Sequence, residues 1–295
     1  MENAPWEVDA LILGCGYLGH RVARIWQSGG LSVAAVTRSS QKAEIWRREG
    51  LFPVIGELGD PASFPQLPSA KWVLFAVGYD RQGGYSQAEI AVTGLEHVLR
   101  KMHGRCEQFV LISSSSVYGQ SDGSWVDETS PTEPVQPGGQ CCLAAEHRLG
   151  QLKPGARNTI LRLSGIYGPG RLLSRISTLQ AGEPLSGLPE AWLNLIHVDD
   201  AARVVDRVYR HPPGQDELYL VTDDRPLPRE EYYRALATLA GAPEPRFDSA
   251  QPAKRGSGGV NKRCSNRKLR ESLGVSLQYP TIAQGLPHAM ASSQE

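Results

Sequence analysis

The chain has 295 residues, 40% of them hydrophobic, with 31 Lys+Arg set against 31 Asp+Glu. That length serves one large or two modest domains, and a formal net charge of zero leaves no global field to draw the protein to nucleic acid or to an anionic membrane. No apolar run approaches the ~20 residues needed to span a bilayer. Met1–Ala10 lacks the basic start of a signal peptide, and five cysteines without C-x-x-C spacing suit a reduced cytosol, so a cytoplasmic protein is expected.

The first element is Leu11-Ile12-Leu13, running into Gly14-Cys15-Gly16-Tyr17-Leu18-Gly19, with the amphipathic segment His20–Gln27 directly behind it. G-x-G-x-x-G between a strand and a helix predicts a dinucleotide site. Gly14 permits the sharp turn, Gly16 lets the backbone approach a pyrophosphate, and Gly19 lets the helix pack closely on the strand. The helix N-terminus then offers N–H groups and a partial positive charge to the phosphates. Apolar runs recur at Ser32–Val36, Trp72–Val77, Gln108–Ile112, Asn158–Leu163 and Leu218–Val221. Helices are predicted over Lys42–Arg48, Ser86–Met102, Cys142–Leu149, Leu172–Gln180, Val198–Tyr209, Arg229–Ala240 and Asn266–Leu273. The alternation argues for an α/β fold with a mostly parallel sheet covered on both faces. Ser63–Ser69, Ala181–Pro189, Pro212–Asp216 and Ala242–Gly259 read as connections, and Gly256-Ser257-Gly258-Gly259 as a mobile loop.

The second run leads into Thr37-Arg38-Ser39-Ser40. An acidic residue about 20 positions past the glycines would hold the ribose hydroxyls of NAD. Arg38, with the hydroxyls of Thr37 and Ser39, suits a 2′-phosphate instead, so NADP(H) is the expected coenzyme and NAD(H) the second choice. The run Phe109–Ile112 enters Ser113-Ser114-Ser115-Ser116-Val117-Tyr118-Gly119, a row of hydroxyls at the carboxyl end of a parallel strand, where ligand crevices lie. Later come Leu161-Arg162-Leu163-Ser164-Gly165-Ile166-Tyr167-Gly168-Pro169-Gly170 and His197-Val198-Asp199-Asp200.

In order and spacing this set resembles the extended short-chain dehydrogenase/reductase family, the nucleotide-sugar epimerase and dehydratase group. The resemblance covers nearly the whole chain, including Lys262–Leu273 and Tyr279–Leu286. It implies a doubly wound Rossmann sheet of order 3-2-1-4-5-6 with a seventh strand, and a small, discontinuous carboxyl-terminal substrate lobe. The expected boundaries are residues 1–165 for the Rossmann domain, with 190–222 returning to it, and 166–189 with 223–295 for the lobe. Glu57-Leu58 looks like the family's adenine-contacting pair. Ala76-Val77-Gly78, Ser113, Gly165 and Tyr167 are expected to line the coenzyme groove beside the glycine turn. Ser114 matches the family's catalytic Ser/Thr. Ser115 and Ser116 fall where the dehydratases carry acid/base residues, and Ser115 and Tyr118 join Ser114 as catalytic candidates, although Tyr118 belongs to V-Y-G, whose tyrosine is usually structural in the family.

The departure is as informative as the match. The family's Tyr-x-x-x-Lys pair falls on Gly138 and Cys142, and Ala91 stands where that family often has an asparagine. A glycine transfers no proton, and a thiol supplies no fixed positive charge. These losses resemble an atypical, YeeZ-like bacterial branch. Arg81, in the loop Tyr79–Tyr85, and Arg171 are candidate contacts for an anionic substrate group, and His197 is expected to brace the substrate lobe, with Asp199 or Asp200 capping the following helix. No metal site is expected: Cys141-Cys142 has no partners at ligand spacing. Lys262-Arg263, Arg267-Lys268 and Arg270 read as a solvated helix face. Asp127 and Glu128 read as solvated loop carboxylates.

Two functions follow. One is an NAD(P)-dependent oxidoreductase or epimerase with an atypical active site, acting on a sugar-like or other small polar carbonyl. The other is a catalytically silent NADP(H)-binding sensor or scaffold. The expected partner is a small-molecule substrate, with neither nucleic acid nor membrane, and a homodimer is left open.

Overall fold

The computed structural model describes residues 6–60, 63–64, 66–79, 83–171, 173–250 and 259–291. Strands β1 (Glu7–Leu13), β2 (Val33–Thr37), β3 (Phe52–Ile55), β4 (Ser69–Phe75) and β5 (Cys106–Ser114) are followed in the chain by Gly155–Leu163 and Glu217–Val221. All seven join one parallel sheet, in the order Glu217–Val221, Gly155–Leu163, β5, β4, β1, β2, β3. The direction of winding reverses at β1, which pairs with β2 on one side and β4 on the other. The register sets Leu13 beside both Val36 and Phe75, and Phe75 beside Leu111. Strands β1, β2 and β4 therefore end within a residue of one another, with β5 running on to Ser114, and in such sheets the crevice outside the carboxyl ends at the reversal point is where ligands bind.

The helices are α1 (Gly19–Ser28), α2 (Ser40–Arg48), α3 (Leu95–Met102), α4 (Pro137–Leu152), α5 (Leu173–Gln180), α6 (Val198–Arg210), α7 (Arg229–Ala240), α8 (Arg267–Leu273) and α9 (Ile282–Ala291). The segment predicted as one helix over Ser86–Met102 opens with a π-helical stretch, Glu89–Gly94, before α3. There the backbone passes so near the Leu58 carbonyl that a Cβ on Gly94 would stand 2.8 Å from its oxygen. Helix α4 begins five residues before its predicted start, and α9, with Pro287 inside it, had no clear apolar period to announce it. Gly256–Gly258 lies outside the described residues.

The chain divides into two compact units. The first comprises Met1–Ser114, Gln140–Arg162 and Ala202–Tyr219; the second comprises Ser115–Gly139, Leu163–Ala201 and Leu220–Glu295. In the first, Leu11, Leu13, Val73, Phe75, Phe109 and Leu111 from alternate strand positions pack on Leu95, Val98, Leu99 and Met102 of α3. Trp26 of α1 packs edge-on to Trp72 and Tyr209, and the Tyr209 hydroxyl donates to the Val73 carbonyl, so the buried ring keeps a partner for its polar end. The second unit has its own core of Tyr167, Leu179, Leu185, Leu227, Tyr232, Leu236 and Leu286. Each large apolar side chain buried this way contributes roughly 1.5–3 kcal/mol. Among the described residues no helix is long and apolar enough to cross a membrane.

Candidate functional site

The turn after β1 is built by backbone proximity. Gly14 has φ +93°, and a Cβ there would run into the Ala76 carbonyl at the end of β4. A Cβ on Gly19 would strike the Gly14 carbonyl oxygen. The Ala76 N–H donates to Leu13 O at 2.7 Å and the Gly16 N–H to Gly14 O at 2.8 Å, which ties the two strand ends and the turn together. Gly16 differs: it is exposed, and a Cβ built on it meets nothing within 4 Å. Two glycines are thus demanded by the protein's own atoms and the third is not. An open face at the start of α1, which carries no acidic residue in its first turn, fits the pyrophosphate of a dinucleotide. Cys15 and Leu18 are buried beneath the turn, the Cys15 thiol pushed up to about 12 by burial, and the Arg21 guanidinium lies over the Tyr17 ring at 4.3 Å.

At the end of β2, Thr37 is buried and its Oγ1 accepts the Ser39 N–H at 3.1 Å. Ser39 caps α2, its Oγ accepting the Lys42 N–H at 3.2 Å. The two hydroxyls therefore shape the loop, and Arg38 is the residue that faces outward. Its guanidinium stands 3.6 Å from the Glu57 carboxylate and 3.5 Å from the Gly83 carbonyl. Glu57 Oε1 also accepts the Gly59 N–H at 3.3 Å, while Leu58 is buried in the first unit's core.

At the ends of β4 and β5, Ala76 and Val77 are half-buried and Gly78 is exposed. Ser113 is buried and donates to Glu146 Oε1 at 2.5 Å. Glu146 in turn takes two N–H groups from Arg162, at 3.0 and 2.7 Å. This buried triad was not anticipated. Beside it lies a cavity of about 60 Å³ bordered by Val77, Tyr79, Ala91, Ser113 and Cys142 among others. Ala91 and Cys142, the short residues at two positions where the family carries longer polar ones, thus face empty space and not filled core.

In the second unit the serine run turns through one 3₁₀ stretch, Ser115–Val117, and the Tyr118 N–H donates to Ser115 O at 3.2 Å. Ser115 and Ser116 are half-buried; Tyr118 is fully buried, as a structural residue would be. Gly139, next to the position of the lost tyrosine, approaches the Ser116 carbonyl so closely that no Cβ fits. Asp127 accepts from Thr129 and Ser130, which hold its carboxyl below the usual range, and Glu128 Oε1 accepts the Leu220 N–H at 2.7 Å. Asp127 is bonded within its own loop and Glu128 is bonded to a distant strand, so neither is merely solvated as expected.

The basic cluster also departs from expectation. Residues Arg263–Cys264 pair with Trp125–Val126 as short parallel strands, so alternate side chains point to opposite sides. Lys262 and Cys264 turn inward and are buried, while Arg263 lies 5.1 Å from the ring centres of both Trp125 and Trp192. Arg267, exposed at the start of α8, and Arg270, paired with Asp224 at 2.7 Å, match the solvated helix face.

His197 is fully buried. Its Nδ1 accepts the Asp199 N–H at 3.2 Å, and its Nε2 lies 3.3 Å from Nδ1 of His288. The bond at the start of α6 thus comes from the histidine ring; Asp200 accepts the N–H groups of Gln278 and Tyr279 at 2.8 and 2.7 Å. His197, Asp199 and His288 are close enough to hold a metal ion, yet a ring whose Nδ1 accepts a backbone N–H carries its proton on Nε2, aimed at His288. Tyr167 is buried edge-on to His197, with its hydroxyl unpartnered, and Asp223 has one unpartnered buried oxygen and a carboxyl pushed up to about 8 by burial. Gly165 and Arg171 are exposed; Arg81 lies outside the described residues.

A model of the NAD dependent epimerase/dehydratase family matches residues 10–221. Protein YeeZ of Escherichia coli strain K12 is 27% identical over 280 residues, 91% of this chain and 95% of that protein. Among solved structures, a functionally unknown conserved protein from Silicibacter pomeroyi DSS is similar with a TM-score of 0.78 at 28% identity, covering 98% of this chain and 100% of its own. A short-chain dehydrogenase/reductase superfamily protein from Agrobacterium tumefaciens with bound NAD shares the fold, with a TM-score of 0.77 at 20% identity over 97% of each chain. With a family model matched over most of its length, and the glycine turn set at the reversal point of a parallel sheet, the chain belongs to the NAD dependent epimerase/dehydratase family.

Proposed function

We propose that this protein is an NADP(H)-preferring oxidoreductase or epimerase with an atypical active site, acting in the cytoplasm on a sugar-like or other small polar carbonyl compound. In this reading Gly14–Gly19 hold the pyrophosphate, Glu57-Leu58 the adenine, and Arg38 the 2′-phosphate. The Ser114 hydroxyl bonds the substrate's carbonyl oxygen. A bound reduced coenzyme supplies the hydride.

The observation that carries the reading is the cavity at the ends of β4 and β5, bordered by Tyr79, Ala91, Ser113 and Cys142, so that two of the shortened positions open onto space. Gly138 and Cys142 favour a second reading, a silent NADP(H)-binding sensor, because neither can do the family pair's work. The test is NADPH oxidation against a panel of aldoses, ketoses and keto acids, with Ser114→Ala as control. Turnover abolished in that variant supports the enzyme. Tight NADPH binding without turnover on any member supports the sensor. Gly138→Tyr with Cys142→Lys is expected to raise turnover if the rest of the scaffold is competent.

A further inference from the structure

Lys262 is a buried cation of the second unit. It is 8% exposed, and its Nζ donates to the Tyr118 carbonyl oxygen at 3.0 Å. Among the described residues that carbonyl is its sole hydrogen-bond acceptor, and no carboxylate pairs with it. An ammonium has three N–H donors, so two are unanswered among the described residues. Buried cations ordinarily have a counter-ion, because desolvation without one costs several kcal/mol. Burial accordingly lowers the Lys262 pKa, with Cys264 pulling weakly the other way. The Cys264 thiol, itself raised to about 12 by burial, is neutral near neutral pH and supplies no negative charge. Arg263, its neighbour in sequence, is satisfied by the Gly123 carbonyl at 2.7 Å and by two indole rings, so the want of a partner belongs to Lys262 alone in this strand.

The place of this cation matters. Tyr118 closes the turn that begins at Ser115, and the Ser115 hydroxyl also lies against the Cys264 sulfur. A clamp on that turn requires one N–H and could be served by a neutral donor. An anion placed there would favour the charged form that burial disfavours.

We propose that Lys262 is a ligand-binding residue: its ammonium, buried against the Ser115–Tyr118 turn without a counter-ion among the described residues, receives an anionic oxygen, carboxylate or phosphate, carried by the substrate. This names a substrate class for the function proposed above, and it rests on that reading in taking the serine turn as the substrate end.

The chain has seven lysines, so the side-chain resonances of lysine-labelled full-length protein are few enough to assign with Lys262→Arg. Sodium acetate and sodium phosphate are titrated separately at constant ionic strength, and NADPH binding is measured on the same preparation. The expected result is a saturable shift of the Lys262 signal at anion concentrations at least about tenfold below those that move the other lysines. Acetate acting first marks a carboxylate ligand, and phosphate acting first marks a phosphate ligand. Lys262→Met is expected to lose the saturable anion uptake seen by calorimetry; if that variant does not fold, the wild-type titration decides. A Lys262 signal that follows the exposed lysines under both anions overturns the inference. If NADPH still binds in that case, the inference fails and the proposed function stands; if anions bind and NADPH does not, the reverse holds.

Discussion

Arg38 and Glu57, from the loops after β2 and β3, face each other across 3.6 Å at the rim of the first unit. The pair fixes the arginine at the loop after β2, and the carboxylate partly offsets its charge. Arg38 is about half exposed, so the charge–phosphate interaction is screened. Arg38→Ala is expected to weaken NADPH binding about tenfold and to change NADH binding less than twofold. Glu57→Gln, which frees the guanidinium, is expected to raise the preference for NADPH over NADH, since any loss at the adenine is common to both. Paired calorimetric titrations measure both, and equal losses for the two coenzymes would remove Arg38 from the 2′-phosphate.

The three glycines of the turn separate by what surrounds them. Gly16→Ala meets no protein atom, so the variant is expected to fold with an unchanged melting temperature and to bind coenzyme at least tenfold more weakly. Gly19→Ala, forced against the Gly14 carbonyl, is expected to lose stability as well, by about 1–3 kcal/mol. Thermal melts with and without NADPH distinguish the two. A Gly16→Ala protein with wild-type affinity would mean that the open face is not where a pyrophosphate lies.

Glu146 binds Ser113 and Arg162 in a buried triad. Replacing one member of a buried ion pair leaves the other charge uncompensated, so Glu146→Gln is expected to cost about 3–5 kcal/mol in urea unfolding. A loss under 1 kcal/mol would show that water or a neighbour compensates Arg162.

Asp223 gives stability a pH dependence of definite sign. Its carboxyl titrates at 3.8 in the unfolded chain and near 8 in the fold, so between those values unfolding releases a proton. Stability should therefore fall as pH rises across that window, by up to about 1.4 kcal/mol per pH unit from this group. Asp223→Asn is expected to flatten that part of the profile. An unchanged slope in the variant would assign the dependence to other groups.

What could be read from the sequence was what local chemistry determines. The strand, glycine turn and helix from Leu11 to Gln27 carry their geometry in adjacent residues, and Arg38 follows from a count of positions past the turn. The Ser113–Glu146–Arg162 triad joins β5, α4 and the strand Gly155–Leu163, so no local period announces it. Lys262 was misread for the same reason. The run Lys262–Arg270 looks like a charged helix face until Arg263–Cys264 is seen to pair with Trp125–Val126, which turns Lys262 inward. Short strands with distant partners leave little trace in their own sequence.

The most direct test of the central claim, that the turn from Gly14 to Gly19 cradles a dinucleotide, is a calorimetric titration of the purified full-length chain with NADPH and with NADH. The account predicts saturable, one-site binding with NADPH the tighter ligand. No saturable heat with either coenzyme, from protein shown to be folded, would contradict it.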